Sequence, residues 1–299
     1  MNALSMQPRR KKSHLLLTAQ VSRGDFDLAL GLLYQCGLAS SQTIKGRGRI
    51  GLSAALPPGL AAKSLLSRLK VLERGLGRPL FHEAKIQKVL RGDWSRKYQS
   101  YLNPFRLIPP VGPDFPGLDI DPRGKLPRRL EKNTLYIEAG LAFGTGTHAT
   151  TRLAAELLSE AMASRRRPAV LDVGCGTGIL AMAAKRLGAG KVAAVDNDPE
   201  ALVTAKDNFK RNRISGIRLL LSHKGLKSKF PVIVSNIGLN VILELKAEFA
   251  RLLAAKGDLI LTGLLYRDVA ELLRAYRGME FVGRRNRSGW AAVWLRKRG

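Results

Sequence analysis

Long apolar runs, cysteine and acidic residues are what this 299-residue sequence has least of. No run of about 18 apolar residues occurs, so no membrane-spanning helix is expected. The opening Met1-Asn2-Ala3-Leu4-Ser5-Met6 lacks the succession of basic, apolar and small residues of a secretory signal, and the expectation is a soluble, cytoplasmic protein. Only Cys36 and Cys175 are present, and Cys175 lies in a glycine-rich stretch where a disulfide would distort the backbone. That fits a reducing compartment and argues against a metal site. Carboxylates are scarce too: 23 Asp and Glu stand against 51 Lys and Arg, a formal charge of +28. Such an excess predicts attraction to polyanions and says nothing of fold. Through Lys97, 18 basic residues face five acidic ones, and the excess continues through the second half. Two readings stay open: a lineage that favours Arg and Lys on solvated faces, or proximity to RNA with steeply salt-dependent affinity.

A chain of this length, 45% hydrophobic, can bury two cores. Residues 1–12, ending Pro8-Arg9-Arg10-Lys11-Lys12, read as a basic disordered arm. Over 13–91 the pattern predicts a strand at 15–21, a helix through Phe26, Leu30, Leu33 and Tyr34, and two short strands joined at Gly46-Arg47-Gly48. An amphipathic helix over 60–76 and a strand over 83–90 follow. That order is the α+β, ferredoxin-like one. Residues 92–130, rich in proline and aromatics, read as a linker. From 131 to 299 apolar strands alternate with amphipathic helices, the pattern of an α/β domain with a parallel sheet covered on both faces. Strands are expected at 169–173, 191–195, 217–221, 232–235, 258–261, 280–282 and 291–295, a Rossmann-like seven-stranded sheet with its last strand antiparallel.

Chemistry concentrates in four places. After the strand at 169–173, Gly174, Gly176 and Gly178 open a helix; glycines there let the backbone turn sharply where doubly wound sheets bind nucleotides. Asp172 either is structural or steadies that turn. Asp196, 22 residues past Gly174 at the end of the next strand, can accept ribose hydroxyls, while Asp198-Pro199 reads as a helix N-cap. A nicotinamide enzyme would use an acid there too, but its third glycine falls one residue later. Upstream, Gly140-Leu141-Ala142-Phe143-Gly144-Thr145-Gly146-Thr147-His148-Ala149-Thr150-Thr151 precedes a helix expected over 152–162, and a loop so crowded with Gly and Thr points to a ligand. Thr150 and Thr151 are alternatively helix caps, and His148 either orders the loop or acts as a base. Finally, Asn236 ends the strand at 232–235 without the Pro-Pro-aromatic sequence of enzymes that methylate planar amides or bases.

Together, 140–151, 172–178, Asp196 to Pro199 and Asn236-Ile237 resemble the PrmA family, which methylates lysines and the N-terminal amine of the eleventh protein of the large ribosomal subunit. The family's G-L-A-F-G-T-G-T-H-P-T-T is matched at every position except Ala149. Asp93-Trp94, Tyr98 and Phe105 resemble its linker. Elsewhere the chain departs from the family: Glu138-Ala139 stands for the usual Asp-Pro and Gly238 where Leu is common. The resemblance implies a class I S-adenosylmethionine methyltransferase domain behind a substrate-recognition domain, and a monomer. Its protein-lysine N-methyltransferase activity would act on a ribosomal protein of the stalk base, and the basic surface would contact ribosomal RNA. It places Thr151, Gly174, Gly176, Asp196 and Asn236 against S-adenosyl-L-methionine, with Phe143, Gly144, Thr145, Gly146, Thr147 and His148 over its methionine end and Asn236 catalytic. The rivals are a methyltransferase for nucleic acid or for another protein's lysines, and a non-catalytic RNA-binding protein of the same fold.

Overall fold

The computed structural model describes residues 13–36, 38, 41–45, 49–56, 60–90, 103–111, 115–123, 126–137, 146 and 148–299. The basic arm, the Gly46 to Gly48 turn and the Asp93 to Tyr101 stretch lie outside them. The chain divides into two compact units, Met1–Tyr101 and Leu102–Gly299.

In the first unit the order is β1 (Ser13–Ser22), α1 (Phe26–Gln35), β2 (Ser41–Lys45), β3 (Arg49–Ala55), α2 (Ala62–Gly75) and β4 (His82–Leu90). The strands form an antiparallel sheet in the order β2-β3-β1-β4. Leu16, Leu17, Val21, Leu52, Leu65 and Leu69 are buried in it. Past α2, Glu73 Oε1 accepts the backbone N–H groups of Leu80 and Phe81, both at 2.7 Å, and so holds the turn into β4.

The second unit begins inside the stretch expected as a linker. There β5 (Phe105–Ile108) and β6 (Leu118–Asp121) pair antiparallel, and β6 pairs parallel with β7 (Thr134–Tyr136). Strands of three and four residues separated by prolines carry too little alternation to be read from sequence. The outer side of β7 is closed by a side chain: Asn212 Oδ1 accepts the Tyr136 N–H at 2.7 Å and its Nδ2 donates to the Tyr136 carbonyl at 2.9 Å.

The large sheet takes all seven predicted strands, β8 (Ala169–Val173), β9 (Lys191–Val195), β10 (Ile217–Leu220), β11 (Phe230–Asn236), β12 (Leu253–Leu265), β13 (Glu280–Arg287) and β14 (Trp290–Arg296). Their order is β10-β9-β8-β11-β12-β14-β13. β14 runs antiparallel to both its neighbours, so the last strand inserts between β12 and β13 rather than extending the edge. Central strands are buried along their length, as a sheet covered on both faces requires. The covering helices are α3 (Ala149–Ala163), α4 (Ile179–Arg186), α5 (Pro199–Arg211), α6 (Leu239–Glu244), α7 (Lys246–Leu252) and α8 (Val269–Ala275). Strand order reverses between β8 and β11, and the crevice outside their carboxyl ends is where such sheets bind ligands. In the amino-terminal half of β12, away from the crevice, fully buried Asp258 joins Arg165 (2.6 Å), Arg296 (2.8 Å) and the Trp294 indole N–H (2.9 Å). No described helix is long and apolar enough to cross a membrane.

Candidate functional site

The glycine turn after β8 is fixed from below. The N–H groups of Gly174 and Cys175 both donate to the Val195 carbonyl, at 2.8 and 3.0 Å, so the turn leans onto the end of β9. Gly174 has φ +75° and Gly178 φ +77°. A Cβ at 174 would lie 2.3 Å from Ile237 Cγ2, and one at 178 would lie 2.4 Å from the Phe209 ring. These two glycines therefore serve the chain's own packing, with Gly178 as the N-cap of α4. Asp196 answers from β9: its Oδ2 accepts the Gly176 N–H at 2.8 Å and its Oδ1 the Asp198 N–H at 3.0 Å. One bond to each oxygen leaves lone pairs for two hydroxyls. Asp198 caps α5 by accepting from Glu200 N, with Pro199 in the first turn, as the Asp-Pro pair predicts.

Asp172 does steady the turn: its Oδ2 accepts the Ala181 N–H in the first turn of α4 at 3.0 Å. Its Oδ1 is buried and has no partner among the described residues. Burial, with the charge of Asp196 behind it, pushes this carboxyl up to about 7. Burial also pushes both free thiols up, Cys175 farther than Cys36, so neither is a reactive thiolate.

Of the upstream loop, Gly146 and His148 onward are described; Phe143, Gly144, Thr145 and Thr147 lie outside the described residues. Gly146 has φ +81°, and a Cβ on it would lie 2.8 Å from Ile179 and 3.0 Å from Phe105. The cap of α3 is His148, not Thr150 or Thr151, and the helix starts three residues before the expected Arg152. His148 Nδ1 accepts the Thr150 N–H at 3.3 Å and lies 2.7 Å from the Thr150 hydroxyl, which selects the neutral tautomer with its proton on Nε2. Its ring meets the buried Trp290 edge-on, centroids 4.8 Å apart, and burial lowers its pKa to about 4. A neutral ring already engaged at Nδ1 is a poor candidate for a base.

Freed from capping, Thr151 turns its hydroxyl to Asn236, whose Nδ2 donates to it at 3.3 Å. Asn236 is 7% exposed and its Oδ1 has no partner among the described residues. Such an atom is costly to leave unpaired, by about 1–3 kcal/mol. Ser235 Oγ donates to the Val173 carbonyl at 2.9 Å and ties β11 to β8. On the other side Ile237 N–H donates to the Thr262 carbonyl, and Gly263, at φ +90°, lets β12 approach so closely that a Cβ there would lie 2.2 Å from the Ile237 carbonyl oxygen. Gly263 and Trp290 escaped the reading of the sequence. A glycine inside an apolar strand run is the one signal that marked the former.

The arrangement fits an adenosyl cofactor: a carboxylate with free lone pairs at the end of β9, a glycine turn beside it, and an unpartnered amide oxygen across the β8/β11 crevice. Comparisons with known proteins agree. The protein named Ribosomal protein L11 methyltransferase from Sorangium cellulosum is 36% identical over 199 residues, 66% of this chain and 61% of that protein, so the match spans about three fifths of its length. Its namesake from Bordetella parapertussis is 34% identical over 251 residues, 80% of this chain and 78% of that protein. A crystal structure of ribosomal protein L11 methylase from Lactobacillus delbrueckii subsp. bulgaricus superposes with a TM-score of 0.55 at 29% identity, covering 61% of this chain and 95% of that one. The fold is the Rossmann-like class I methyltransferase fold, which implies use of S-adenosylmethionine. The family model for Ribosomal protein L11 methyltransferase (PrmA) matches residues 39–298, from just before β2 to beyond β14, and on that match the chain belongs to the PrmA family.

Proposed function

We propose that this chain is an S-adenosylmethionine-dependent protein methyltransferase, acting as a monomer in the cytoplasm on lysine and N-terminal amines of ribosomal protein L11, at the base of the ribosomal stalk. The observation that carries the reading is the Thr151–Asn236 pair with its spare amide oxygen, set across the crevice from Asp196. The name of the relatives supplies the acceptor.

Asp196 would hold the ribose hydroxyls, the turn at Gly174 and Gly176 would pass beneath the nucleoside, and Gly146 to Thr151 would border the methionine end beside Phe143, Gly144, Thr145 and Thr147. When bound, the cofactor supplies an electrophilic methyl group on a sulfonium. The chain has to deliver a neutral amine in line with it and keep water out. At pH 7 a free lysine is neutral in roughly 1 molecule in 2,500, from its pKa of about 10.4. Desolvation on entering the crevice favours the neutral form, because it lowers an amine's pKa. Asn236 Oδ1 then accepts one amine N–H and leaves the lone pair pointing away from the oxygen. With Nδ2 donating to the Thr151 hydroxyl, the amide oxygen is the atom left for the acceptor. His148 orders the start of α3 and takes no proton.

Mass spectrometry of L11 incubated with the protein and S-adenosylmethionine tests the reading. The expected result is a stepwise gain of methyl groups on lysines or the amino terminus; unchanged L11 beside methylated RNA in a parallel incubation would overturn it.

A further inference from the structure

β13 closes one side of the seven-stranded sheet, and its outer backbone has no strand partner among the described residues. Charge on such an edge deters strand pairing, and arginines there need serve no other purpose. Their distribution goes further. Arg285 and Arg287 point to α3 and are neutralised there, by Glu160 and Glu156, each at 2.9 Å. Arg284, on the opposite face, has no carboxylate partner among the described residues, where its recorded contacts are with Tyr266. Its guanidinium carbon lies 5.1 Å from the centre of the Tyr266 ring, and its NH2 group reaches the Tyr266 hydroxyl at 3.4 Å.

Tyr266 is half exposed, yet it is not loose. Its N–H donates to the Gly289 carbonyl at 2.8 Å, and the Leu265 N–H before it donates to Asp268 at 2.9 Å. The main chain beneath the ring is thus held, and the ring faces solvent with a cation beside it. Residues 266–287 contain six arginines, no lysine and three acids. Arg267, Arg274 and Arg277 are exposed along with Arg284. Register sets the distance to the crevice: Arg284 faces Val293, Val293 faces Leu261, and Leu261 faces Ser235. Arg284 therefore stands level with the residue before Asn236, three strands away, roughly 14 Å at the usual strand spacing.

We propose that Tyr266 and Arg284 form a stacking platform for an unpaired stretch of RNA whose phosphates are met by the exposed arginines of the same segment. A nucleobase matches a solvent-facing aromatic plane and a guanidinium, and its phosphate matches arginine forks. An acidic protein segment would use the charges, but only a nucleic acid brings a stacking base beside every anionic group. The net charge of +28 brings the polyanion in; the platform gives it a place. RNA as a neighbour of the acceptor rests on the ribosomal reading above, but binding is measured without acceptor or cofactor, so the two stand or fall separately.

The test is fluorescence anisotropy of a labelled single-stranded oligouridylate against the full chain over a range of salt. Tyr266→Ala should weaken binding roughly tenfold, as loss of one base stack does, while Tyr266→Phe stays within about twofold. Arg284→Gln should weaken binding and lower the slope of log affinity against log salt by about one. Lys206→Gln, an exposed lysine of α5, is the control for diffuse charge. Equal losses from Lys206→Gln and Tyr266→Ala would overturn the proposal. So would polyglutamate binding that depends on Tyr266 as strongly as RNA binding does. Arg284→Gln guards against misfolding of the Tyr266 variant, and both variants should methylate free L11 at the parent rate. If the parent itself fails to methylate L11, the functional reading falls and the RNA result remains.

Discussion

Gly263→Ala puts the geometry of the site under the sharpest strain. At φ +90° an alanine costs about 1 kcal/mol relative to glycine, before any contact is counted. Its Cβ would lie 2.2 Å from the Ile237 carbonyl oxygen and 2.7 Å from the carbonyl carbon. Both are backbone atoms, so no rotamer change relieves the overlap, and overpacking of this kind costs about 1–3 kcal/mol. The sum, about 2–4 kcal/mol, corresponds to a loss of roughly 5–15 °C in melting temperature for a unit the size of residues 102–299. Relief can only come from moving Ile237, and Asn236 moves with it. A displacement of about 1 Å in a positioning group lowers turnover by up to about 100-fold. Melting followed by tryptophan fluorescence, which Trp290 and Trp294 of β14 report, and a methyl-transfer assay on the same sample measure both effects. Gly283→Ala is the matched control, because nothing lies within 4 Å of its added Cβ. A Gly263→Ala protein that melts within 2 °C of the parent and turns over normally would refute the close approach as the support of Asn236.

Three further outcomes follow from separate contacts. Thr151→Val keeps the volume and removes the acceptor of Asn236 Nδ2; turnover should fall about tenfold in a steady-state assay with cofactor affinity nearly unchanged, and full turnover would separate the pair from function. Asp172→Asn should stabilise the protein most at pH 8. A carboxyl raised from 3.8 to about 7 in the fold lends stability that is complete below pH 3.8 and lost as pH rises through 7, so the variant's advantage, at most about 4 kcal/mol, should shrink on acidification in urea titrations. Asp258→Ala strands the Arg165 and Arg296 guanidiniums and should cost about 3–5 kcal/mol of unfolding free energy, read by denaturant titration, with the KM for acceptor unaltered, since it sits in the half of β12 away from the crevice.

The seven large strands were legible because each is a short apolar run set off by a helix of clear period, and burial on both faces makes such runs continuous. The Asp198-Pro199 start and the turn at 174–178 were legible for a different reason: few residues suit a cap, a positive φ or a first helical turn. His148 as a cap was not, because its ring nitrogen imitates what Ser, Thr, Asp and Asn ordinarily supply, and two such threonines stand next to it. The small sheet of β5, β6 and β7 hid behind prolines. Asn212 hid further, since a lone amide at the end of α5 gives no sign that it will act as a piece of strand toward Tyr136, 76 residues away. Of the candidate site, the sequence singled out Asp196, Asn236 and Thr151 but not Gly263 and Trp290, whose contacts exist only once distant segments meet.

The insertion of β14 between β12 and β13 has a consequence for synthesis. Until residues 290–296 have been made, the outer side of β12 has no strand to pair with, and the ring that seats His148 does not exist. From the completion of β12 until β14 is made the nascent chain must carry an open strand edge, with the buried residues of β12 such as Leu259 and Leu261 behind it, and such an edge is prone to wrong pairing. Translation that stops before β14 should therefore yield an insoluble fragment rather than a weaker enzyme, and the crevice becomes competent only once β14 has been made.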